Sequence, residues 1–561
     1  MSQDRENSLI YTPKLIRDAE SEAMRISSIP QVLLMENAAL AVANAVCEDA
    51  GERAPGDMQV AILAGRGNNG ADALATGRLL VRRGYNITVY EFDNGMGVFS
   101  GRQRPQGNRM DSDYNAYNDQ RNWLVEYTIA RQYDEKLGTI KIATLSPQIE
   151  WRQFDYIVDG LFGIGLNRNV TGVIRNTIES LNAYTKTAVM HGHEHAKVVS
   201  VDIPSGIDAL TGEVCGEAVR ADITVTFIGV KTGQVFYPGR EYCGKRILAD
   251  IGIPANVLQN AYGCVMSTPW KMKRREPSGH KGTFGKVLII AGSDATPGAA
   301  ILAAKACFRS GAGMVKVVST QKVLTELLHE LPEAIQCTRE DWLADPQSQA
   351  SGYNVAVVGP GLGKDRVAFE LLCSVLKLKP MVHVLDADAI NLLASQLRET
   401  EVFARIDELL ELIGEQCILT PHPMELARLL NTDISGPTVN RLTVVNRWRE
   451  AEKYRDRRDC VLVMKDATTI VVGNQAAYFN ETGNDGMGTA GSGDVLAGIC
   501  GAIAIDACSG YRRLDQCASQ AVALHGLAGD IAAELFGRAS MKAGDIIDAI
   551  PDAIQRAGTA E

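Results

Sequence analysis

Apolar positions alternate between two patterns along the chain. Short continuous runs, such as Val60–Ala64, Tyr156–Val158 and Val198–Val201, are each followed directly by a glycine or an aspartate, and segments with helical spacing lie between them. Runs of this kind read as strands buried on both faces. Their alternation with helices predicts a parallel sheet covered on both sides. Near the start, Leu15, Ile16, Ala19, Ala23 and Met24 mark one face of a helix that Thr12 caps and Pro13 opens. A second helix is expected from about Val32 to Cys47. Ligands of such sheets bind beyond the carboxyl ends of the strands, so functional side chains should follow the apolar runs. The polar, weakly periodic stretch from Asp93 to about Arg121 predicts a long surface loop or insertion.

The pattern then stops and restarts. Pro254, Pro269 and Pro277 punctuate a stretch carrying the basic run Lys271–Arg275, which reads as a linker with a solvated surface. Strand-like runs resume at Lys286–Ile290 and recur at Val315–Val318, Val355–Val358, His383–Leu385, Cys417–Leu419 and Val461–Met464. Two α/β domains are therefore expected, residues 1–262 and 263–561.

Composition narrows the function classes. At 561 residues the chain is too long for one ordinary core. A net charge of -10 without an extended basic tract points away from nucleic acid and toward small-molecule substrates. The 12 cysteines form no C-x-x-C pair, so no zinc or redox motif of that type is indicated. No apolar run reaches the ~18 residues of a membrane span, and Met1–Ile10 lacks the apolar stretch of a signal peptide. No membrane partner and a cytoplasmic location are expected.

Three strand ends in the first half carry polar chemistry. Gly65-Arg66-Gly67-Asn68-Asn69-Gly70-Ala71-Asp72 leads from a strand into a helix, where bare backbone N–H groups favour an anion. Asp159-Gly160-Leu161-Phe162-Gly163 and Asp202-Ile203-Pro204-Ser205-Gly206 each put a carboxylate at a strand end. One such aspartate would serve as a helix cap; two beside an asparagine loop suggest ligands converging on one cleft. His191-Gly192-His193-Glu194-His195 reads as a surface loop rather than a metal tract. These three motifs resemble the NAD(P)H-hydrate epimerase family, over roughly residues 10–255. The resemblance implies a Rossmann-like fold and a substrate site made by Asn68, Asn69, Gly70, Ala71, Asp72, Gly163, Ile164, Gly165, Leu166, Asn167, Arg168, Asn169 and Asp202. It also implies a potassium ion held by Asn69, Asp159 and Ser205, with Asp202 as the acid–base group.

The densest motif lies in the second half. Glycines 483, 486, 488, 491 and 493 lead directly into an apolar helix that begins with Asp494 at its mouth. Such a loop stabilises phosphate, and Asp494 is placed to exchange a proton with a hydroxyl beside it. Its companions are Ser278–Gly285, Ala299 opening a helix, Gly359-Pro360-Gly361-Leu362-Gly363, Asp386-Ala387-Asp388, Thr420-Pro421-His422 and Lys465-Asp466-Ala467-Thr468-Thr469. In this order they resemble the ADP- or ATP-dependent NAD(P)H-hydrate dehydratase family, across about residues 270–555. The resemblance implies a ribokinase-like α/β fold. Ala299, Gly361 or Gly363, His422 and Asp494 would line the hydrate site; Lys465, Asp466, Ala467, Thr468, Thr469 and Gly493 would bind ADP or ATP. Asp386 and Asp388 are candidates for positioning substrate or magnesium, with Asp386 equally suited to satisfying backbone groups. A homo-oligomer is implied. Two rival readings stay open here: a small-molecule kinase sharing the glycine loop, and a first half that only binds ligand.

Overall fold

Thr12 does cap the first helix: its hydroxyl accepts the Leu15 N–H at 3.4 Å, and α1 (Pro13–Ser27) starts on Pro13. The computed structural model describes residues 9–92, 119–120, 137–254, 257, 264–398, 402–431, 439–453, 459–474 and 476–560. Apart from residues 119–120, the Asp93–Arg121 stretch lies outside them. The chain divides into two compact units, Met1–Tyr262 and Gly263–Glu561.

In the front unit, α2 (Gln31–Ala50) precedes β1 (Gln59–Ala64), α3 (Asn68–Arg82), β2 (Asn86–Glu91), β3 (Ile140–Thr144), β4 (Tyr156–Gly160), α4 (Gly172–Met190), β5 (Lys197–Val201), β6 (Ile223–Phe227) and β7 (Lys245–Ala249). All pair in parallel, in the order β3-β2-β1-β4-β5-β6-β7. The chain leaves β1 toward one edge and returns to its other side at β4. A crevice therefore opens between the loops after β1 and β4, the usual ligand position of such a sheet. Apolar residues are buried on both faces, which explains the continuous apolar runs.

The rear unit repeats this logic. After β8 (Cys264–Met266) come β9 (Lys286–Ile290), α5 (Pro297–Arg309), β10 (Met314–Ser319), β11 (Ile335–Thr338), β12 (Val355–Val358), β13 (Val382–Leu385), β14 (Gln416–Leu419), α6 (Pro423–Leu430) and β15 (Asp459–Met464). Then follow β16 (Ile470–Val472), β17 (Ala477–Phe479), α7 (Ser492–Ile503), α8 (Leu514–Phe536) and α9 (Ala543–Ala557). The order β11-β10-β9-β12-β13-β14-β15-β16-β17-β8 is parallel as far as β15, then turns antiparallel through β16 and β17. The switch point here lies between β9 and β12.

One expectation needs correction. The stretch around Lys271–Arg275 is not a free linker. Cys264–Met266 pairs with Ala477–Phe479, and Met272–Lys273 pairs with Thr559–Ala560. Arg275 stacks on Phe284 at 4.3 Å and donates to the Gly311 carbonyl at 2.7 Å. Local sequence could not show these partners because most lie far along the chain.

Candidate active sites

The front site is assembled from the loops after β1, β4, β5 and β6. Gly65 and Gly70 allow the tight entry into α3: a Cβ on Gly70 would sit 1.8 Å from the Gly65 carbonyl, and one on Gly65 1.9 Å from the Leu161 carbonyl. That closeness joins the β1 loop to the β4 loop and puts Asn68, Asn69, Gly70, Ala71 and Asp72 on the first turn of α3. Gly163–Asn169 forms the facing loop, with Asn167, Arg168 and Asn169 exposed and the Leu166 N–H bonded to the Gly163 carbonyl at 3.2 Å.

Asn69, Asp159 and Ser205 meet around Phe162. Asn69 Nδ2 donates to the Phe162 carbonyl at 2.9 Å, and the Phe162 N–H donates to Ser205 Oγ at 2.8 Å. Asp159 is fully buried and accepts from Ser200 Oγ at 2.8 Å, the Ser205 N–H at 2.9 Å and the Leu161 N–H at 3.3 Å. Burial pushes its carboxyl above the ordinary value, and these neutral donors only partly offset that. Asp202 ends β5 in a left-handed conformation, φ 65°. Its neighbour Asp72 is pushed well above its ordinary value by burial and by the like charges of Asp202 and Glu20.

The rear site lies at the carboxyl ends of β9 and β12–β15. Gly361, with φ 57°, packs so closely that a Cβ would fall 2.7 Å from Thr296 Oγ1 and 2.9 Å from the Ala299 methyl. Gly363 donates its N–H to Asp388 Oδ2 at 2.9 Å. After β13, Asp386 is buried and accepts from Lys465 Nζ and Thr420 Oγ1, each at 2.7 Å. Asp494 sits in the first turn of α7, whose cap is Gly491. Its carboxylate takes no hydrogen bond from any described residue, so it is not the cap. Burial and the nearby Asp386 push it up to about 6, against the opposing pull of Lys465. Burial works against the Lys465 ammonium, but Asp386, Glu425 and Asp494 outweigh it and hold its proton more firmly. A Cβ on Gly493 would lie 3.4 Å from Lys465 Nζ, so the ammonium reaches the glycine loop. Asp466–Thr469 closes a tight turn, with Thr469 Oγ1 donating to the Asp466 carbonyl at 3.2 Å and Thr468 buried. A small cleft beside it has apolar walls from Pro421, Pro423, Leu426, Val444 and Met464, with Arg441, Lys465 and Asp466 at its polar side. His422 caps α6: Nδ1 accepts the Met424 N–H at 3.1 Å, and Nε2 lies 3.3 Å from Glu425.

Two models of known families match the chain. One, described as NAD(P)H-hydrate dehydratase, covers residues 287–552; the other, described as YjeF-related protein N-terminus, covers residues 32–233. The bifunctional NAD(P)H-hydrate repair enzyme of Moorella thermoacetica is 33% identical over 96% of this chain and 94% of its own length. The chain belongs to the bifunctional NAD(P)H-hydrate repair enzyme family. The repair enzyme of Escherichia coli is 30% identical over 95% of this chain and 92% of its own. A solved structure described as the ADP/ATP-dependent NAD(P)H-hydrate dehydratase of Bacillus subtilis with ATP and Mg2+ is 26% identical, covers 52% of this chain and 99% of that one, and has a TM-score of 0.42.

Several side chains that brace the two sites of this repair-family member escaped the sequence reading. Lys231, fully buried, donates to Asp202 Oδ1. Arg339 donates to the Gly292 carbonyl at 2.6 Å and the Leu362 carbonyl at 2.9 Å, tying the β9 loop to the β12 loop. His525 lies 3.3 Å from Ser492 Oγ, behind the first turn of α7. Burial and Lys465 pull this imidazole down to about 4, so it is neutral at pH 7. Asp530 accepts the Gly483 N–H at 2.8 Å and fixes the start of the glycine loop. None sits in a motif singled out from the sequence; a charged residue inside an apolar run was the signal, at Lys231 and at Asp530. Among the described residues, no helix is long and apolar enough to cross a membrane. The His191–His195 stretch follows α4 as a mostly exposed turn.

Proposed function

We propose that residues 1–262 interconvert the R and S epimers of hydrated NADH and NADPH, and that residues 263–561 dehydrate the S epimer back to the coenzyme using ADP or ATP. The observation that carries this reading is Asp494: a carboxylate unbonded among the described residues, in the first turn of the helix that follows the glycine loop, beside Lys465. Asp494 takes the proton of the C6 hydroxyl as that oxygen attacks the terminal phosphorus of the nucleotide. The N–H groups of the glycine loop and the Lys465 ammonium stabilise the charge on the transferring phosphoryl group. The ring nitrogen lone pair then breaks the C6–O bond and inorganic phosphate leaves. Loss of the C5 proton restores the dihydropyridine. The balance is one nucleotide converted to its next lower form and one phosphate released per coenzyme restored.

In the front unit the hydroxyl-bearing carbon is a hemiaminal, so nitrogen-assisted loss and return of the hydroxyl inverts it, with Asp202 moving the proton. Potassium fits Asn69, Asp159 and Ser205. All three offer oxygen, and Asp159 is a buried carboxylate whose partners among the described residues are neutral. Held there, such an ion would supply a positive charge beside the Asp159 carboxylate and the Phe162 loop. Magnesium would be held beside Asp388, whose Oδ2 accepts the Gly363 N–H at 2.9 Å and whose Oδ1 lies 3.7 Å from Lys364 Nζ, and beside Asp386, which accepts from Lys465 and Thr420. The apolar cleft beside Lys465–Thr469 takes the adenine. The cytoplasm, as a compartment holding reduced coenzymes, and a homo-oligomeric assembly complete the reading.

The test is to give the full-length protein each purified epimer with ADP, ATP or no nucleotide, and to follow reduced coenzyme and phosphate together. Coenzyme restored without nucleotide turnover, or a stable phosphorylated product as from a kinase, would remove the reading.

A further inference from the structure

Only one oxygen of the Asp202 carboxylate is engaged. Oδ1 accepts from Lys231 Nζ and from the Phe227 N–H at 3.1 Å, whereas Oδ2 takes no hydrogen bond from any described residue. Lys231 has no exposed surface. Its three N–H bonds go to Asp202 Oδ1, to Thr226 Oγ1 at 2.9 Å and to the Phe227 carbonyl at 2.9 Å, which leaves none for a substrate. The Thr226 hydroxyl donates to Gln234 Oε1 at 3.2 Å, and that oxygen also accepts the Lys231 N–H at 2.9 Å. Gln234 Nε2 donates to the Asp202 carbonyl at 2.8 Å and closes the ring. The same bond holds Asp202 in its left-handed backbone, which a non-glycine residue adopts at some cost.

Resting on the assignment of epimerisation to the front unit, we propose that Lys231, with Thr226 and Gln234, is a clamp that presents Oδ2 of Asp202 alone to the hydrated ring, making Lys231 a positioning residue of the epimerisation. Stability does not account for the lysine. A buried ion pair contributes no more than packed apolar side chains of the same volume. What the pair provides here is one occupied and one vacant oxygen on a carboxylate at a strand end. The neighbouring Asp72 is pushed well above its ordinary value by burial first and then by the like charges of Asp202 and Glu20.

A double-substitution cycle on the full-length protein tests this, with dehydration of the S epimer as the internal control. Lys231→Met should lower kcat for epimerisation about 100-fold, change KM for the hydrate by less than about threefold, and leave dehydration unchanged. In an Asp202→Asn background, the same lysine change should cause no further loss of kcat, because the lysine acts through the carboxylate. Equal fractional losses in both backgrounds, or a loss confined to KM, would overturn the clamp. If Lys231→Met does not fold, Thr226→Val carries the test: a lower kcat at unchanged KM supports the clamp and an unchanged kcat removes it. Normal epimerisation by Asp202→Asn would remove Asp202 as the proton carrier and the clamp with it, whereas absence of epimerisation by the parent protein would remove the function assigned to the front unit.

Discussion

At the scale of single residues, chemistry is set by what surrounds each carboxylate. The base proposed at Asp494 can act only when ionised, and burial together with Asp386 pushes its pKa up to about 6. Dehydration kcat/KM should therefore rise with pH through about 6 and then level off. Asp494→Asn should cost about 10²–10⁴-fold or more, with nucleotide binding retained in calorimetry. The same substitution has a stability consequence of known sign. A carboxyl raised in the folded state stabilises the fold below its unfolded pKa and loses that contribution as pH rises through 6. Asn mimics the neutral form, so the variant should be more stable than the parent by on the order of 1–3 kcal/mol at pH 8. The gain should vanish near pH 4, and urea melts at both pH values decide it. In the front unit, Asp159 lacks a cationic partner among the described residues. Its melting temperature should rise with potassium concentration, and Asp159→Asn should abolish that dependence.

At the scale of elements, helix α7 follows the glycine loop and carries Asp494, and its position depends on close packing against α5. A Cβ on Gly498 would meet the Ala303 carbonyl at 2.2 Å. Gly498→Ala should push the two helices apart, destabilise the rear unit by about 1–3 kcal/mol, and lower kcat by displacing Asp494. Gly544 in α9 has open space around its Cβ position. Gly544→Ala should be neutral or stabilising by up to about 1 kcal/mol, since alanine is the better helix former. Thermal melts of the pair, with dehydration rates, separate packing from propensity.

At the scale of the whole molecule, each unit has its own series of parallel strands and its own buried apolar clusters. Residues 1–262 and 263–561 expressed separately should each melt cooperatively. The front piece should equilibrate the epimers without restoring coenzyme. The rear piece should restore coenzyme from S alone and stall on R until the front piece is added. An unfolded rear piece, or one that consumes both epimers unaided, would contradict this division of labour.

The sequence by itself determined the strand–loop–helix rhythm, because buried parallel strands need continuous apolar runs and sharp turns into helices need glycine. It also placed the loop groups: Asn69, Asp159, Asp202, Asp386 and Lys465 end or closely follow apolar runs, and Asp494 follows the glycine loop into its helix. The short strands β16, β17 and β8 were not legible, since a three-residue apolar run carries no periodicity and gains its identity from partners distant in the chain. The role of Lys271–Arg275 depended likewise on Phe284, Gly311 and Thr559–Ala560. Only the tertiary structure decided which charges meet. Lys231 pairs with Asp202 across 29 residues and Lys465 with Asp386 across 79. Burial then sets how tightly each holds its proton, and burial belongs to the packed chain rather than to any local stretch of it.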